Sequence, residues 1–201
     1  MQGIGKLQFT DKYGGRAVYR GEFMANLFHG EGKVLWSNGD VYEGSFENGK
    51  YQGHGEFFFK DQQMKYVGEF RKGKFEGRGK LKTRNGVFEG DFLRGFLEGR
   101  GSASFRNGDK YAGEFRNSAL NGYGCYTFAG KTKLLGLFEN GVCSRHGKKV
   151  LPDGSIYVGE FERDREHGRG VYVDAQSNST SGIWREGVLV EEMVERTISY
   201  E

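Results

Sequence analysis

One string recurs along the chain at a nearly constant interval. Tyr-x-Gly-acid-aromatic appears as Tyr19-Arg20-Gly21-Glu22-Phe23, Tyr66-Val67-Gly68-Glu69-Phe70, Tyr111-Ala112-Gly113-Glu114-Phe115 and Tyr157-Val158-Gly159-Glu160-Phe161. Looser copies start at Tyr42, Phe88, Leu134 and Thr180, so the steps between starts are 23, 24, 22, 23, 23, 23 and 23 residues. A Gly-x-Gly follows most starts, as Gly30/Gly32, Gly53/Gly55, Gly77/Gly79, Gly99/Gly101, Gly122/Gly124 and Gly168/Gly170. In the sixth copy only Gly147 survives, and Gly3/Gly5 is the same string from a leading partial unit over residues 1–18. Self-similarity at such a period means one small unit repeated, each copy burying its apolar face only against its neighbours.

The unit reads as a β-hairpin. With each repeat numbered from its first residue, positions 1, 3 and 5 are aromatic, Gly, aromatic, and positions 2 and 4 are mostly polar. That is the period-2 pattern of a strand with one apolar face. Position 8 holds Gly49, Gly73, Gly95, Gly141, Gly187, Asn26 or Asp164, residues that accept positive φ cheaply, with Ser118 as the exception. A second strand is predicted over positions 13 to 19, with apolar residues at 16 and 18 (Val34/Trp36, Phe57/Phe59, Tyr126/Phe128). Asn38-Gly39, Asn85-Gly86, Asn107-Gly108 and Asp153-Gly154 then turn the chain into the next unit.

Composition agrees. The chain has 35 Gly, one Pro, 17 Phe, 11 Tyr and 2 Trp in 201 residues. That much glycine excludes a helical bundle, because each interior Gly costs about 0.5–1 kcal/mol relative to Ala. So many rings at a net charge of +3 exclude disorder, and one proline excludes collagen. The expected fold is all-β: an elongated, single-layer, twisted antiparallel sheet of tandem hairpins, a solenoid roughly 75 Å long before twist. Glycine at positions 3 and 14 leaves room for rings from positions 1 and 5 to lie over the backbone of neighbouring strands.

These strings resemble one family, the MORN repeat (membrane occupation and recognition nexus), whose motif is roughly Tyr-x-Gly-Glu-[Trp/Phe]-x-x-Gly-x-x-x-Gly-x-Gly. The resemblance covers residues 2 to about 187. The sixth repeat departs most, with Leu134 for Tyr, Leu137 for Glu and Arg145 for Gly. The array is expected over 1–187, with starts at 19, 42, 66, 88, 111, 134, 157 and 180, followed by a capping segment over 188–201. In that segment Leu189/Val190, Met193/Val194 and Thr197/Ile198 recur near helical spacing with Glu191, Glu192 and Glu195 between them. It reads as a short amphipathic cap, helix ahead of strand.

Little in the pattern suggests catalysis. His29, His54, His146 and His167 occupy repeating slots and read as surface loop residues. No HExxH or CxxC spacing, P-loop or nucleophile elbow is present, so no catalytic residue, metal or cofactor is expected. Acids at position 4 (Glu22, Glu69, Asp91, Glu114, Glu160) recur with the period and are expected to pair with bases at positions 13 and 15 across the face opposite the rings. Near-balanced charge does not call for nucleic acid. No apolar run approaches the roughly 18 residues of a membrane span, and the chain opens without a signal-peptide core. Cys125 and Cys143 read as two free thiols in a reducing compartment.

Three places are candidates for function. The first is an exposed aromatic trough with tyrosine hydroxyls at its rim, formed by Tyr19, Phe23, Tyr42, Phe46, Tyr66, Phe70, Phe88, Phe92, Tyr111, Phe115, Tyr157 and Phe161. Such a surface suits an extended or helical peptide, and the resemblance implies a protein-binding scaffold that receives a partner segment there. The second is a basic stripe, Arg78, Lys80, Lys82 and Arg84 with Arg100 one hairpin on, which either meets anionic lipid or balances the acids of a solvated face. The third is Tyr123, Cys125, Leu135 and Leu137, apolar residues on the polar face, which either lie under the C-terminal cap or form a patch for a partner or a homodimer. The resemblance implies a non-enzymatic scaffold in a eukaryotic cytosol, at cytoskeletal, ciliary or membrane-associated structures. A membrane-tethering module, or a targeting module of a larger enzyme, is the alternative it leaves open.

Overall fold

The computed structural model describes residues 1–193. These form two compact units, Met1–Arg106 and the chain from Asn107 onward. The first unit holds β1 (Gly3–Thr10), β2 (Arg16–Met24), β3 (Leu27–Leu35), β4 (Val41–Glu47), β5 (Lys50–Phe59), β6 (Met64–Arg71), β7 (Lys74–Lys82), β8 (Gly86–Leu93) and β9 (Phe96–Phe105). The second holds β10 (Lys110–Arg116), β11 (Ala119–Thr127), β12 (Lys133–Glu139), β13 (Val142–Val150), β14 (Ile156–Glu162), β15 (Arg165–Val173), β16 (Ser179–Arg185) and β17 (Val188–Glu192). Within each unit every strand pairs antiparallel with its neighbours in sequence, so the fold is all-β and made of tandem hairpins.

The hairpin turns are tighter than the glycine at position 8 alone suggests. Positions 7 and 8 both take positive φ: 50° and 77° at Asn48-Gly49, 51° and 83° at Lys72-Gly73, 52° and 92° at Asn140-Gly141. Two successive left-handed residues make the two-residue turn whose twist matches that of the strands. Ser118, out of pattern in sequence, adopts 64° like the rest. Each turn also docks on the unit before it. The position-8 N–H donates to the position-10 carbonyl one repeat back, as from Gly49 to Phe28 at 2.9 Å, Gly73 to Tyr51 at 3.0 Å and Gly187 to Glu166 at 2.9 Å.

The second strand starts earlier than the sequence pattern predicts, at position 9. The Gly-x-Gly lies inside it and builds a bulge there. Gly21 pairs with Gly32, but the next residue, Glu22, pairs with His29, so Gly30 and Glu31 drop out of the ladder with β2. Gly30 takes φ 54° to do this. The histidines therefore sit on strands and not in loops. At Glu22, Glu69, Glu114 and Glu160 the position-4 acid has a different role from the expected ion pair, whereas Asp91 leaves Gly99 uncovered and stands opposite Arg78. Oε1 of Glu22 accepts the Glu31 N–H at 3.1 Å, inside the bulge, and a Cβ on Gly30 would lie 2.5 Å from the Glu22 carboxyl carbon. Glu69 covers Gly77 in the same way, Glu114 covers Gly122, and Glu160 covers Gly168. Two of the exposed ion pairs join position 15 to position 2 of the next repeat: Lys33 to Glu43 at 2.7 Å, and Lys80 to Glu89. Exposed as they are, each is worth about 0–1 kcal/mol.

The core is a file of rings lying on glycine. A Cβ on Gly55 would sit 2.8 Å from Cε2 and Cζ of Tyr42, and Gly21, Gly32, Gly68, Gly79, Gly113, Gly124, Gly159 and Gly170 are covered in the same way by Tyr19, Tyr66, Tyr111 or Tyr157. These five tyrosines are fully buried. Each hydroxyl donates to the carbonyl three residues on, where the bulge shifts the ladder: Tyr19 to Glu22 at 2.7 Å, Tyr42 to Ser45 at 2.8 Å, Tyr157 to Glu160 at 3.0 Å. The position-5 ring meets the tyrosine edge-on, with Tyr42 and Phe46 centroids 5.0 Å apart at 85°. The next repeat's ring meets it likewise, at 5.1 Å and 89° for Tyr42 and Phe70.

At the C-terminal end the structure corrects the helical reading. Val188–Glu192 is a strand paired with β16, and Leu189, opposite Trp184, occupies position 10 of an eighth hairpin. The repeat period overrides the weak helical spacing. The rest of the expected cap, 194–201, lies outside the described residues.

Two variants test this account. Gly55→Ala forces a methyl into the Tyr42 ring and is expected to cost at least about 2 kcal/mol. Gly73→Ala meets nothing within 4 Å and carries only the left-handed penalty, about 1 kcal/mol. Equal losses in urea denaturation would remove the ring-on-glycine argument. Arg145 holds the bulge slot that glycine fills elsewhere, at φ 67°, with Leu137 in place of the bracing acid. Arg145→Gly is therefore expected to raise stability by about 1 kcal/mol, read from the same unfolding midpoint.

Candidate functional site

Folding consumes the first file of the predicted trough. Tyr19, Phe23, Tyr42, Phe46, Tyr66, Phe70, Phe92, Tyr111, Phe115, Tyr157 and Phe161 are all buried, and only Phe88 is half-exposed. The tyrosine hydroxyls do not form a rim; they are turned inward onto the backbone carbonyls at the bulges. What faces outward is a second file, stacked on the first. Position 10 supplies it: Phe28 lies on Tyr19 at 3.8 Å and 10°, Tyr51 on Tyr42 at 3.9 Å and 21°, and Phe75 on Tyr66 at 3.8 Å and 8°. Position 18 adds Trp36 and Phe59, the latter stacked on Phe57 at 4.0 Å. All five outer residues, Phe28, Trp36, Tyr51, Phe59 and Phe75, are half-exposed.

In the first unit these rings line a groove of about 560 Å³, between Trp36, Tyr51, Phe57, Phe59, Phe70 and Phe75, with Lys12, Tyr13, Asn38, Asp40, Asp61 and Gln62 around them. A hollow of about 200 Å³ adjoins it and shares Trp36, Tyr51 and Gly73. The lining is held in place. Asp40 accepts the Lys60 N–H at 2.9 Å and the Asn38 amide at 2.9 Å, which pins the wall to the neighbouring turn. Lys12 sits over the Tyr13 ring, 4.9 Å from its centroid. Burial pushes the Tyr51 hydroxyl up to about 12; a hydrogen bond with the Trp36 side chain opposes the rise, and Asp40 and Tyr13 add to it. Asp61 stands exposed at the mouth. The surface can hold apolar groups and a cation. Among the described residues, no three or more His, Cys, Asp or Glu side chains are grouped so that they could hold a metal ion.

In the second unit the same slots carry different chemistry. Position 10 is Leu120, Cys143 and Glu166, and position 16 of the sixth repeat is Lys149, whose Nζ donates to Glu166 Oε1 at 2.7 Å. Cys143 is free and buried, its thiol pushed up to about 11 by burial and then by Asp164. Stacked rings therefore do not extend over this unit's outer layer.

The other two predicted places lie on the face opposite the rings. Arg78, Lys80, Lys82, Arg84 and Arg100 are all exposed. The charge of the stripe is partly matched: Lys80 pairs with Glu89, Arg78 stands opposite Asp91, and Arg84 donates to the Asp61 carbonyl at 3.2 Å. Tyr123, Cys125, Leu135 and Leu137 do come together, Tyr123 opposite Leu137 and Cys125 opposite Leu135. The residues that sequence reasoning missed are those at position 10. Their signal was present, since the slot is apolar in most repeats. It was hidden because positions 12 and 14, between it and the apolar positions 16 and 18, are glycines with no side chain to carry the alternation.

Comparison with known proteins adds the following. A family model described as MORN repeat matches residues 19–41, 42–64, 66–87, 88–110, 111–133, 136–156 and 157–179, well over half of the chain. Alsin of Rattus norvegicus is 42% identical over 41 residues, which is 20% of this chain and 2% of Alsin's length. Among solved structures, the chain is similar to the SAS-4 (dCPAP) TCP domain of Drosophila melanogaster in complex with a proline rich motif of Ana2 (dSTIL), at 14% identity and a TM-score of 0.46, over 78% of this chain and 90% of that one. It is similar also to the TCP10 domain of Danio rerio CPAP in complex with a peptide of STIL, at 16% identity and a TM-score of 0.36, over 94% and 99%. At these TM-scores neither likeness bears on what this chain binds.

The tyrosine environments predict an alkaline limit. Tyr51, Tyr111 and Tyr157 are each raised to about 12, above an unfolded value of about 10. A raised folded value means that the stabilisation is complete below pH 10 and is lost as pH climbs towards 12. The urea midpoint is expected to fall across that window, and Tyr51→Phe to reduce the slope. An unchanged slope would show that the Tyr51 hydroxyl is not shielded.

Proposed function

This chain belongs to the MORN-repeat family, and we propose that it is a non-enzymatic scaffold whose first unit receives a segment of a partner protein in the groove of Trp36, Tyr51, Phe59 and Phe75. The observation that carries this reading is the second file of rings, half-exposed and stacked on the buried tyrosines Tyr19, Tyr42 and Tyr66. Rings held from beneath lose little freedom when a ligand arrives, and large aromatic side chains concentrate binding energy. The groove suits an extended segment with apolar side chains for the ring pockets and a basic residue for exposed Asp61. Acids and histidines that recur with the repeat period support a scaffold over an enzyme, since catalytic groups are singular. A place in a cytoskeletal, ciliary or membrane-associated assembly is part of the same proposal and rests on the family resemblance.

Selection of random peptides displayed on phage against the folded chain tests it. The selected peptides are expected to carry apolar residues with a nearby Lys or Arg, and to bind Phe59→Ala and Trp36→Ala at least about tenfold more weakly, roughly 1.4 kcal/mol. Binding that survives both changes in folded variants would place the site elsewhere. Phe70 and Phe92 are unsuitable for this test, because both are core residues.

A further inference from the structure

The face opposite the rings changes character between the two units. Its central row is built from position 15 of one repeat and position 2 of the next. In the first unit this row is mostly charged and carries two ion pairs, Lys33 to Glu43 at 2.7 Å and Lys80 to Glu89, with Val67 as its apolar member. In the second unit the same row reads Cys125 opposite Leu135, Lys148 opposite Val158, and Val158 opposite Val171. Leu135 is 37% exposed, Val158 51% and Val171 39%, with Tyr123 at 72% beside them. A hollow of about 330 Å³ lies against Val158 and Val171, with His146 and Arg169 on its wall.

The charges left on this row are basic. Lys148 stands between Leu135 and Val158 on the neighbouring strands, where Lys33 and Lys80 have a glutamate on theirs. Neither Lys148 nor Arg169 has an ion-pair partner among the described residues. The nearby acids are engaged, since the carboxylates of Glu114 and Glu160 lie over the bulge glycines Gly122 and Gly168. We propose that this strip, Cys125, Leu135, Lys148, Val158 and Val171, docks an apolar, acid-bearing segment of a partner protein, one of whose carboxylates takes the place beside Lys148 that Glu43 and Glu89 take beside Lys33 and Lys80.

Size selects a single segment over a second copy. From β11 to β15 the strip runs about 20 Å at the usual strand spacing, and it is about 10 Å wide. A two-fold dimer through it would bury on the order of 400 Å², well short of the roughly 1,200 Å² of a stable interface. An amphipathic helix of about 13 residues covers the same length. This site belongs to the second unit, on the face opposite that unit's own buried rings, and does not depend on the groove of the first.

The probe is a fluorescein-labelled amphipathic helix of about 14 residues, Leu on one face and Glu flanking it, with a counterpart in which every Glu is Lys. Anisotropy with the full chain is expected to show the Glu peptide binding at least about tenfold tighter than the Lys peptide. Lys148→Glu and Val158→Asp, both at exposed positions, are expected to weaken it about tenfold or more, while Lys33→Glu, the same charge change in the first unit, leaves it unchanged. Equal binding of the two peptides, no binding of either, or no effect of Lys148→Glu in a folded chain would overturn the proposal. So would a mass that doubles with concentration in sedimentation and returns to monomer in Val158→Asp, which would make the strip a self-interface.

Discussion

A tyrosine ring lying on two glycines is the contact from which the rest of this structure follows. The strand pair brings Gly21 and Gly32 together, and the ring of Tyr19 occupies the space their missing side chains leave. Its hydroxyl then reaches the Glu22 carbonyl, where the bulge shifts the ladder, while the Glu22 carboxylate accepts an N–H inside that bulge. One tyrosine, one glutamate and three glycines thus settle the polar groups of an irregular strand. A buried backbone group left unpaired would cost about 1–3 kcal/mol, so the motif is a set of mutually dependent parts and not a list of preferences.

That contact also decides which rings are free to do something else. Rings at positions 1 and 5 are spent on the core. The stacked ring at position 10 closes the core from above and shows its other side to solvent. Where that slot is aromatic, in the first three repeats, a groove results. Where it is Leu120, Cys143 or Glu166, it does not, and in those repeats the apolar surface appears on the opposite face instead. The two units share one motif and differ in which slots are apolar: position 10 carries rings in the first three repeats, and positions 15 and 2 carry Cys125, Leu135, Val158 and Val171 in the later ones.

Much of this was legible in the chain. The period, the hairpin and the glycine framework follow from spacing alone, because a strand's two faces alternate strictly and a turn needs residues that tolerate positive φ. The sixth repeat announced its oddity too, and Leu137 and Arg145 depart together for a physical reason: with no carboxylate lying over the bulge slot, a side chain has room there, although φ 67° still favours glycine. Other features were not legible. Glycines at positions 12 and 14 have no side chain to carry the apolar alternation from 16 and 18 back to position 10, so the strand reads as starting after it although the two-residue bulge keeps its parity. Leu189 follows the repeat into a strand against the helical spacing around it.

By itself the sequence determined the repeat, its hairpin and its family, since these rest on local periodicity and on the absence of a Cβ at fixed positions. Only the tertiary structure decided which aromatic residues are core and which are surface. That depends on stacking order, and stacking order is set by the ring of one strand lying over the glycines of the next. It also decided that the position-4 glutamates lie over the bulge glycines of their own hairpin and not against neighbouring bases, because the bulge brings those glycines under the carboxylates.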